Sequence, residues 1–334
     1  MTTTQDPASA TVESQVADFQ KNYQAIEAEV GRVIVGHKEV VAQTILCLMI
    51  GGHALLEGVP GLGKTLLVRT LAQVLDLQFS RIQFTPDLMP ADIVGTSIVS
   101  TDDGGTRQWV FQPGPIFGNL ILADEINRAT PKTQSALLEV MERGKVSADG
   151  ETHAAGLPFM VFATQNPIDY EGTFPLPESQ MDRFLLRLQM GYPEAGDELE
   201  ILRSAHAATA YDAIPLTAVV TRADVLHLQA LVGQVFIEDS VLDYILRVIT
   251  ATRTEAEFRA GISVRGGLAL KRAAQARALL SGRDFVVPDD VQALVPPVFV
   301  HRLTHARPSA DPLEARHAVL ATLKRILAAI PAPV

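Results

Sequence analysis

The stretch that decides the fold is Gly58-Val59-Pro60-Gly61-Leu62-Gly63-Lys64-Thr65. It fits the pattern G-x-x-x-x-G-K-[ST], in which a glycine-rich loop aims backbone N–H groups at the phosphates of a nucleoside triphosphate. Lys64 is placed to reach the β- and γ-phosphates, and the hydroxyl of Thr65 is a ligand for Mg²⁺. Residues 53–57 predict a short buried strand before the loop, and residues 66–75 predict a helix after it. Because a phosphate-binding loop requires this strand–loop–helix context, the sequence predicts nucleotide binding.

A pair of carboxylates forms the second chemical signature. The apolar run of residues 120–123 predicts a buried strand, and it ends in Asp124 and Glu125. Such a pair is common at strand ends and is weak by itself. Following the glycine loop in one alternating α/β pattern, it predicts that Asp124 holds Mg²⁺ and that Glu125 polarises the attacking water.

Two further segments carry candidate polar groups. Residues 159–164 predict a strand that ends at Gln165 and Asn166, and the Asn166 amide is placed where it could orient the lytic water. Capping of a loop is the alternative role for Asn166, and its own sequence context does not decide between the two. Residues 182–184, Asp-Arg-Phe, place an arginine at a predicted helix-to-strand transition.

The order of predicted elements divides the chain into three parts. Residues 1–17 predict a flexible tail, residues 18–192 an α/β nucleotide-binding core with a parallel sheet, and residues 193–334 a smaller helical domain. Hairpin inserts are predicted within residues 85–115 and 146–159. The predicted helices of the second domain are 194–209, 222–235, 240–254, 263–280, 288–294 and 313–330.

Charge and composition narrow the function classes. The formal net charge is −10, and residues 200–334 hold 15 Lys or Arg against 13 Asp or Glu, so the excess acid lies in residues 1–199. Nucleic-acid-binding surfaces are lined by Lys and Arg, so nucleic acid is a disfavoured partner. No stretch predicts a membrane span, and residues 1–17 lack the basic start and apolar run of a secretory signal, so we expect a cytoplasmic location.

With these motifs in this order, the chain resembles the AAA+ ATPases, and within them the MoxR family. The resemblance covers roughly residues 25–305. The longest matching stretch is Leu122-Ala123-Asp124-Glu125-Ile126-Asn127-Arg128-Ala129, which continues with Pro131-Lys132-Thr133-Gln134-Ser135-Ala136-Leu137-Leu138-Glu139. The other matching segments are the glycine loop, Ala163-Thr164-Gln165-Asn166-Pro167, Pro177-Glu178 and Asp182-Arg183-Phe184.

The resemblance implies roles for several residues. Asn166 would sense the γ-phosphate, and Arg183 would be an arginine finger that reaches a neighbouring subunit's nucleotide. Arg128 is a competing candidate for that intersubunit contact. The family's lid arginine falls at Arg265, although Gly261-Ile262-Ser263-Val264-Arg265 departs from the family's Gly-Ala-Ser-Pro-Arg. The resemblance leaves open whether Arg265 acts in its own subunit or in a neighbour.

The resemblance also implies how the adenine base is held and where the two inserts face. The turn at residues 32–37 would hold adenine through its backbone, and the two inserts would face a central pore or a client protein.

The leading hypothesis is an Mg²⁺-dependent ATPase that binds ATP and ADP, assembles with itself into a hexameric ring or spiral, and remodels or matures client proteins. The resemblance implies a partner that carries a von Willebrand factor A domain. Alternatives are a metal-chelatase motor subunit, a nucleic-acid motor of the related helicase branch, and a nucleotide-gated scaffold that only switches a partner.

Overall fold

The computed structural model describes residues 12–101, 107–148, 150–166, 172–203, 215–307 and 311–333. Within them, one sheet contains the strands β1 (Ala54–Glu57), β2 (Phe79–Gln83), β5 (Leu120–Asp124), β8 (Met160–Gln165) and β9 (Leu186–Gln189). Their order is β2–β5–β8–β1–β9, and all of these neighbours run parallel. The carboxyl ends of the strands therefore meet at one edge of the sheet.

Both faces of the sheet are covered, as parallel sheets require. Because side chains alternate along a strand, one hydrophobic core contains Leu56, Leu122 and Phe162, and a second contains Leu55 and Ala163. The helices α1 (Val12–Gly31), α2 (Lys38–Ile50) and α3 (Lys64–Val74) contribute to the first core, and α5 (Pro131–Arg143) contributes to the second.

The first helix is longer than the sequence predicted. Residues 12–17 belong to α1 rather than to a flexible tail, so that prediction is wrong for them. The reason is burial, because Val16 and Phe19 lie on the same face as Ile26 and Val30 and join the first core. Residues 1–11 lie outside the described part of the chain.

Two antiparallel hairpins lie where the inserts were predicted. The first pairs β3 (Gly95–Thr101) with β4 (Arg107–Pro113), after a short helix α4 (Pro90–Val94), and the second pairs β6 (Lys145–Ala148) with β7 (Glu151–Ala154). The rings of Phe111 and His153 stack 4.1 Å apart and join the hairpins. Trp109 of the first hairpin is 75% exposed.

Helices follow the last strand of the sheet. A short helix α6 (Glu178–Met181) precedes β9, and the helices α7 (Ala195–Arg203), α8 (Arg222–Val232), α9 (Asp239–Thr254), α10 (Val264–Leu280), α11 (Pro288–Phe299) and α12 (Pro312–Ala329) come after it. The predicted segment 204–209 lies outside the described residues. Helix α11 runs five residues beyond its prediction, since it continues through Pro296 and Pro297 and buries Val298 and Phe299.

The helical region packs directly on the core. Helix α10 contacts α1 and α2, α8 contacts α2, and α11 contacts β9 at the edge of the sheet. An α/β core with a parallel sheet and a smaller helical lid is thus confirmed. Among the helices described, none is long and apolar enough to cross a membrane.

Candidate nucleotide site

The glycine loop joins β1 to α3 at the carboxyl edge of the sheet. Gly61 and Gly63 adopt φ values of +87° and +86°, which other residues rarely tolerate. At Gly58 a Cβ would lie 2.5 Å from the carbonyl oxygen of Met190, so only glycine fits there. The loop ends at Lys64, the first residue of α3, where the helix dipole favours an anion.

Lys64 is held inside the loop that precedes it. Its Nζ donates hydrogen bonds to the carbonyl oxygens of Gly58 (2.6 Å) and Val59 (2.9 Å). Burial lowers the pKa of the Lys64 ammonium, and the nearby Asp124 and Glu125 oppose that shift. The cation therefore lies between its own loop and the two carboxylates.

Thr164 organises the acidic pair. Its Oγ1 donates to Oδ1 of Asp124 (2.5 Å) and accepts from the backbone N–H of Glu125 (2.8 Å). Glu125 adopts a left-handed conformation with φ +56°, which is uncommon for a residue with a side chain. The hydroxyl of Thr164 thus fixes both the direction of the Asp124 carboxylate and the turn at Glu125.

Basic and amide groups complete the surroundings of the two acids. Arg81 Nη2 lies 2.7 Å from Oδ2 of Asp124, and Gln83 Nε2 lies 3.0 Å from Oε2 of Glu125. Arg128 Nε is 3.3 Å from the same Glu125 oxygen. Arg128 therefore pairs with the acid of its own subunit.

The glycine loop and the acidic pair line one cavity of about 370 Å³. Its lining includes the loop from Pro60 to Leu66, together with Asp124, Glu125, Thr164 and Asn166. The residues fit a nucleotide with Mg²⁺, since Thr65 and Asp124 offer oxygen ligands beside a loop whose N–H groups suit phosphate. The structure thus places Asn166 on the same cavity as the acidic pair.

A second cavity of about 310 Å³ shares the glycine loop. Its other walls are largely apolar and include Ile34, Val35, Met190 and Tyr192. The family resemblance assigned this turn to adenine. Its residues 33–35 and 37 lie beside the loop that would hold the phosphates, whereas Gly36 lines a neighbouring cavity.

Arg183 and Arg265 lie at the opposite edge of the sheet. Arg183 precedes β9, whose first residue Leu186 is in register with Ala54 at the start of β1, whereas the glycine loop follows the end of β1. Both arginines line another cavity, which shares no residue with the one around Lys64.

A single carboxylate holds the two arginines together. Arg183 pairs with Oε2 of Glu142, and Arg265 Nη2 lies 2.7 Å from Oε1 of the same residue. These contacts lower the pKa of Glu142 to about 2, mainly through the hydrogen bonds from Arg183 and Arg265. Glu142 lies in the last turn of α5. That helix begins shortly after β5 ends at the carboxyl edge of the sheet, and it is about 20 Å long.

Sequence reasoning missed Thr164, Arg81 and Glu142. Thr164 could have been found from strand order, because the register that pairs Ala123 with Ala163 places Thr164 beside Asp124. Glu142 had no local signal, since its contacts come from residues 41 and 123 positions away.

Comparisons with known proteins agree with this geometry. Residues 53–186 match the ATPase family associated with various cellular activities (AAA), and residues 250–322 match the AAA lid domain. The chain is 43% identical over 284 residues to Chaperone MoxR1 of Mycobacterium tuberculosis. The aligned region covers 82% of this chain and 74% of that protein. It is 45% identical over 306 residues to the uncharacterized protein YeaC of Bacillus subtilis, covering 91% and 93% of the two chains.

The solved structures give the same result. The crystal structure of a candidate ATPase from Cytophaga hutchinsonii superimposes with a TM-score of 0.86 at 36% sequence identity, over 96% of this chain and 98% of that one. Its likeness extends through both the sheet and the lid helices. The chain therefore belongs to the MoxR family of AAA+ ATPases.

Proposed function

We propose that this protein is an Mg²⁺-dependent ATPase whose active site is shared between neighbouring subunits of a homo-oligomer. The observation that carries the proposal is the separation of its two halves. The glycine loop, Asp124 and Glu125 lie at the carboxyl edge of the sheet, and Arg183 and Arg265 lie at the opposite edge. The side chains of Arg183 and Arg265 are 24% and 47% exposed, so a neighbouring subunit's cavity could reach them at this edge.

Within one subunit, the described residues support nucleotide binding and water activation. The loop N–H groups and Lys64 would hold the phosphates, and Thr65 and Asp124 would ligate Mg²⁺. Bound Mg²⁺ would neutralise charge on the β- and γ-phosphates. Glu125, turned by Thr164, would accept a proton from the attacking water, and Asn166 would orient that water.

During transfer, charge would spread over the γ-phosphoryl oxygens and the leaving oxygen, and Lys64 is the one cation among the described residues that line the cavity. Arg183 from a neighbour would stabilise that charge, as arginine fingers do. Arg265 is joined to Arg183 through Glu142, so we assign it to the same intersubunit contact rather than to its own subunit's nucleotide. Arg128 is a weaker candidate, because it already pairs with Glu125 in its own site.

We propose a chaperone-like role in the remodelling or maturation of client proteins. The support is the relative named Chaperone MoxR1 and the two insert hairpins, the first of which exposes Trp109. Assembly into a hexameric ring or spiral, a partner with a von Willebrand factor A domain and a cytoplasmic location belong to the same proposal.

The test is steady-state ATP hydrolysis as a function of protein concentration. We expect the rate per subunit to rise with concentration as the shared sites form. Arg183→Ala should retain ATP binding while its turnover falls by about 10³-fold, the lower end of the usual arginine-finger contribution. Arg143→Ala is the matched control, because Arg143 lies next to Glu142 but its Nη1 pairs with Glu139 of the same helix, 3.0 Å away.

Two results would count against the proposal. A rate per subunit that is flat with concentration, together with normal turnover in Arg183→Ala, would mean that one chain completes the site. A Glu125→Gln variant that still activates its partner would favour a nucleotide-gated scaffold over remodelling driven by hydrolysis.

A further inference from the structure

Residues of the lid form hydrogen bonds with the segment that carries Arg183. Residues 182–185 lie between α6 and β9, and their carbonyl oxygens face two consecutive residues that follow α11, His301 and Arg302. The start of α10 adds a third contact, since Ser263 Oγ lies 2.9 Å from Oδ2 of Asp182. Residues at the ends of two lid helices thus contact Asp182, Phe184 and Leu185 of the core.

Arg302 makes most of these contacts. Its side chain is only 3% exposed, and its Nε donates to Oδ1 of Asp182 at 2.7 Å. Its Nη2 donates to the carbonyl oxygen of Phe184 at 2.5 Å, and its Nη1 donates to that of Leu185 at 3.2 Å. The planar fork of a guanidinium suits this task, because it fixes several acceptors in one geometry.

The same segment is held from the core through its backbone N–H groups. Arg183 and Phe184 donate to the carbonyl oxygens of Gln180 and Met181. Leu185 donates to the carbonyl oxygen of His53 at 2.7 Å. The core therefore satisfies the backbone donors of residues 183–185, and Arg302 of the lid satisfies the carbonyl oxygens of Phe184 and Leu185, so the position of Arg183 depends on both.

A glycine makes room for this arrangement. A Cβ at Gly266, in the first turn of α10, would lie 3.1 Å from Cδ of Arg302 and 2.7 Å from Cγ2 of Ile262. Gly266 directly follows Arg265, so the close approach of α10 to Arg302 also sets where Arg265 stands. Both Arg183 and Arg265 are thus placed by the packing around Arg302.

A second buried Arg–Asp pair shows what an ordinary lid contact looks like. Arg283 donates to both carboxylate oxygens of Asp290 at 2.8 Å, and Asp290 is almost fully buried. Both partners belong to the lid, and among the described residues the Arg283 guanidinium contacts Phe285 and Asp290 of the lid. The Arg302 pair differs because it crosses from the lid to the core at the arginine finger.

We propose that Arg302 is a positioning residue for Arg183, which ties the arginine finger to the lid so that the lid of one subunit sets the hydrolysis rate in its neighbour. The inference rests on the proposed action of Arg183 in a neighbouring subunit. It adds that a change in lid position within one subunit moves the finger that the next subunit uses.

The experiment is complementation in mixed oligomers. Arg302→Lys keeps the charge but loses the fork, and its own phosphate site is intact. We expect kcat to fall about tenfold to a hundredfold with the KM for ATP within about twofold, because a misplaced catalytic group costs turnover rather than ground-state binding. Mixing it at low concentration with Glu125→Gln, which has an intact finger, and then concentrating the mixture should restore turnover.

Two further mixtures complete the design. Arg302→Lys mixed with Arg183→Ala should show no turnover above that of Arg302→Lys alone, since neither subunit offers a well-placed finger. Arg183→Ala mixed with Glu125→Gln should recover, which tests the shared active site by itself. Arg283→Lys serves as the matched control, and we expect its kcat to stay within about twofold of the parent after it is shown to be folded.

The outcomes separate the two proposals. If Arg183→Ala with Glu125→Gln recovers but Arg302→Lys with Glu125→Gln does not, the positioning role is wrong and the shared site stands. If neither mixture recovers, the shared site fails and this inference fails with it. Should Arg302→Lys not fold, Asp182→Asn is tested in the same mixtures, and a normal kcat in that variant would overturn the inference.

Discussion

Replacing Thr164 by valine tests whether one hydroxyl organises the acidic pair. Valine matches threonine in shape, so the change removes the hydroxyl and little else. Thr164 is 1% exposed, and water cannot readily take the place of its Oγ1. The variant loses a hydrogen bond to the Asp124 carboxylate and the acceptor for the Glu125 N–H.

The size of the effect follows from these two contacts. A hydrogen bond to a charged group contributes about 1.5–3 kcal/mol, and a buried donor left without a partner costs about 1–3 kcal/mol. The two effects share one atom and do not add fully, so we expect the free energy of unfolding to fall by about 2–4 kcal/mol. Turnover should fall by about tenfold or more, because Asp124 and Glu125 lose their common support.

The assay pairs urea unfolding with steady-state ATP hydrolysis. Thr164→Ser is the control, since it keeps the hydroxyl and loses one methyl group, which costs about 1 kcal/mol. The comparison is valid only if the two variants share the slope of unfolding free energy against urea. If Thr164→Val unfolds like Thr164→Ser and hydrolyses ATP normally, the hydroxyl does not organise the site and our reasoning is wrong.

Three other changes test the loop and the buried histidine. Gly58→Ala should weaken ATP binding at least about tenfold, because its Cβ would lie 2.5 Å from the Met190 carbonyl oxygen; unchanged affinity by calorimetry would contradict the close approach. Lys64→Met should abolish detectable ATP binding while leaving the urea midpoint nearly unchanged, since the ammonium bonds chiefly to its own loop. Burial lowers the pKa of His53 from 6.5 to about 4, so only the unfolded chain binds that proton between these values. The free energy of unfolding should fall as pH drops from 6.5 to about 4, and urea midpoints of His53→Gln should show a flatter dependence.

Local sequence was sufficient for the elements whose physics is local. The glycine loop, the strand that ends at Asp124 and the strand that ends near Asn166 each carry their own signal of residue type and spacing. Their convergence followed from a general rule, because the carboxyl ends of parallel strands meet at one edge. The core of the proposed site could therefore be predicted from three short segments.

Predictions failed where burial by distant residues overrode the local pattern. Residues 12–17 were expected to be flexible from their polar composition, yet Val16 packs into the first core. Helix α11 was expected to stop before Pro296, yet Val298 and Phe299 continue it by packing inward. In both cases the residues that stabilise the helix lie far away in the chain, so a local sequence pattern cannot reveal them.

The sequence by itself determined the chemistry of this protein: a phosphate-binding loop, an acidic strand end and a polar strand end, each encoded within a few consecutive residues. Tertiary structure alone decided that Arg183 and Arg265 lie at the opposite edge of the sheet from those three parts. It joined Arg183 and Arg265 through Glu142, and it placed Arg302 of the lid against the segment that carries Arg183. The physical reason is that these contacts connect residues 41 to 123 positions apart, so they exist only once the sheet and the lid have packed together.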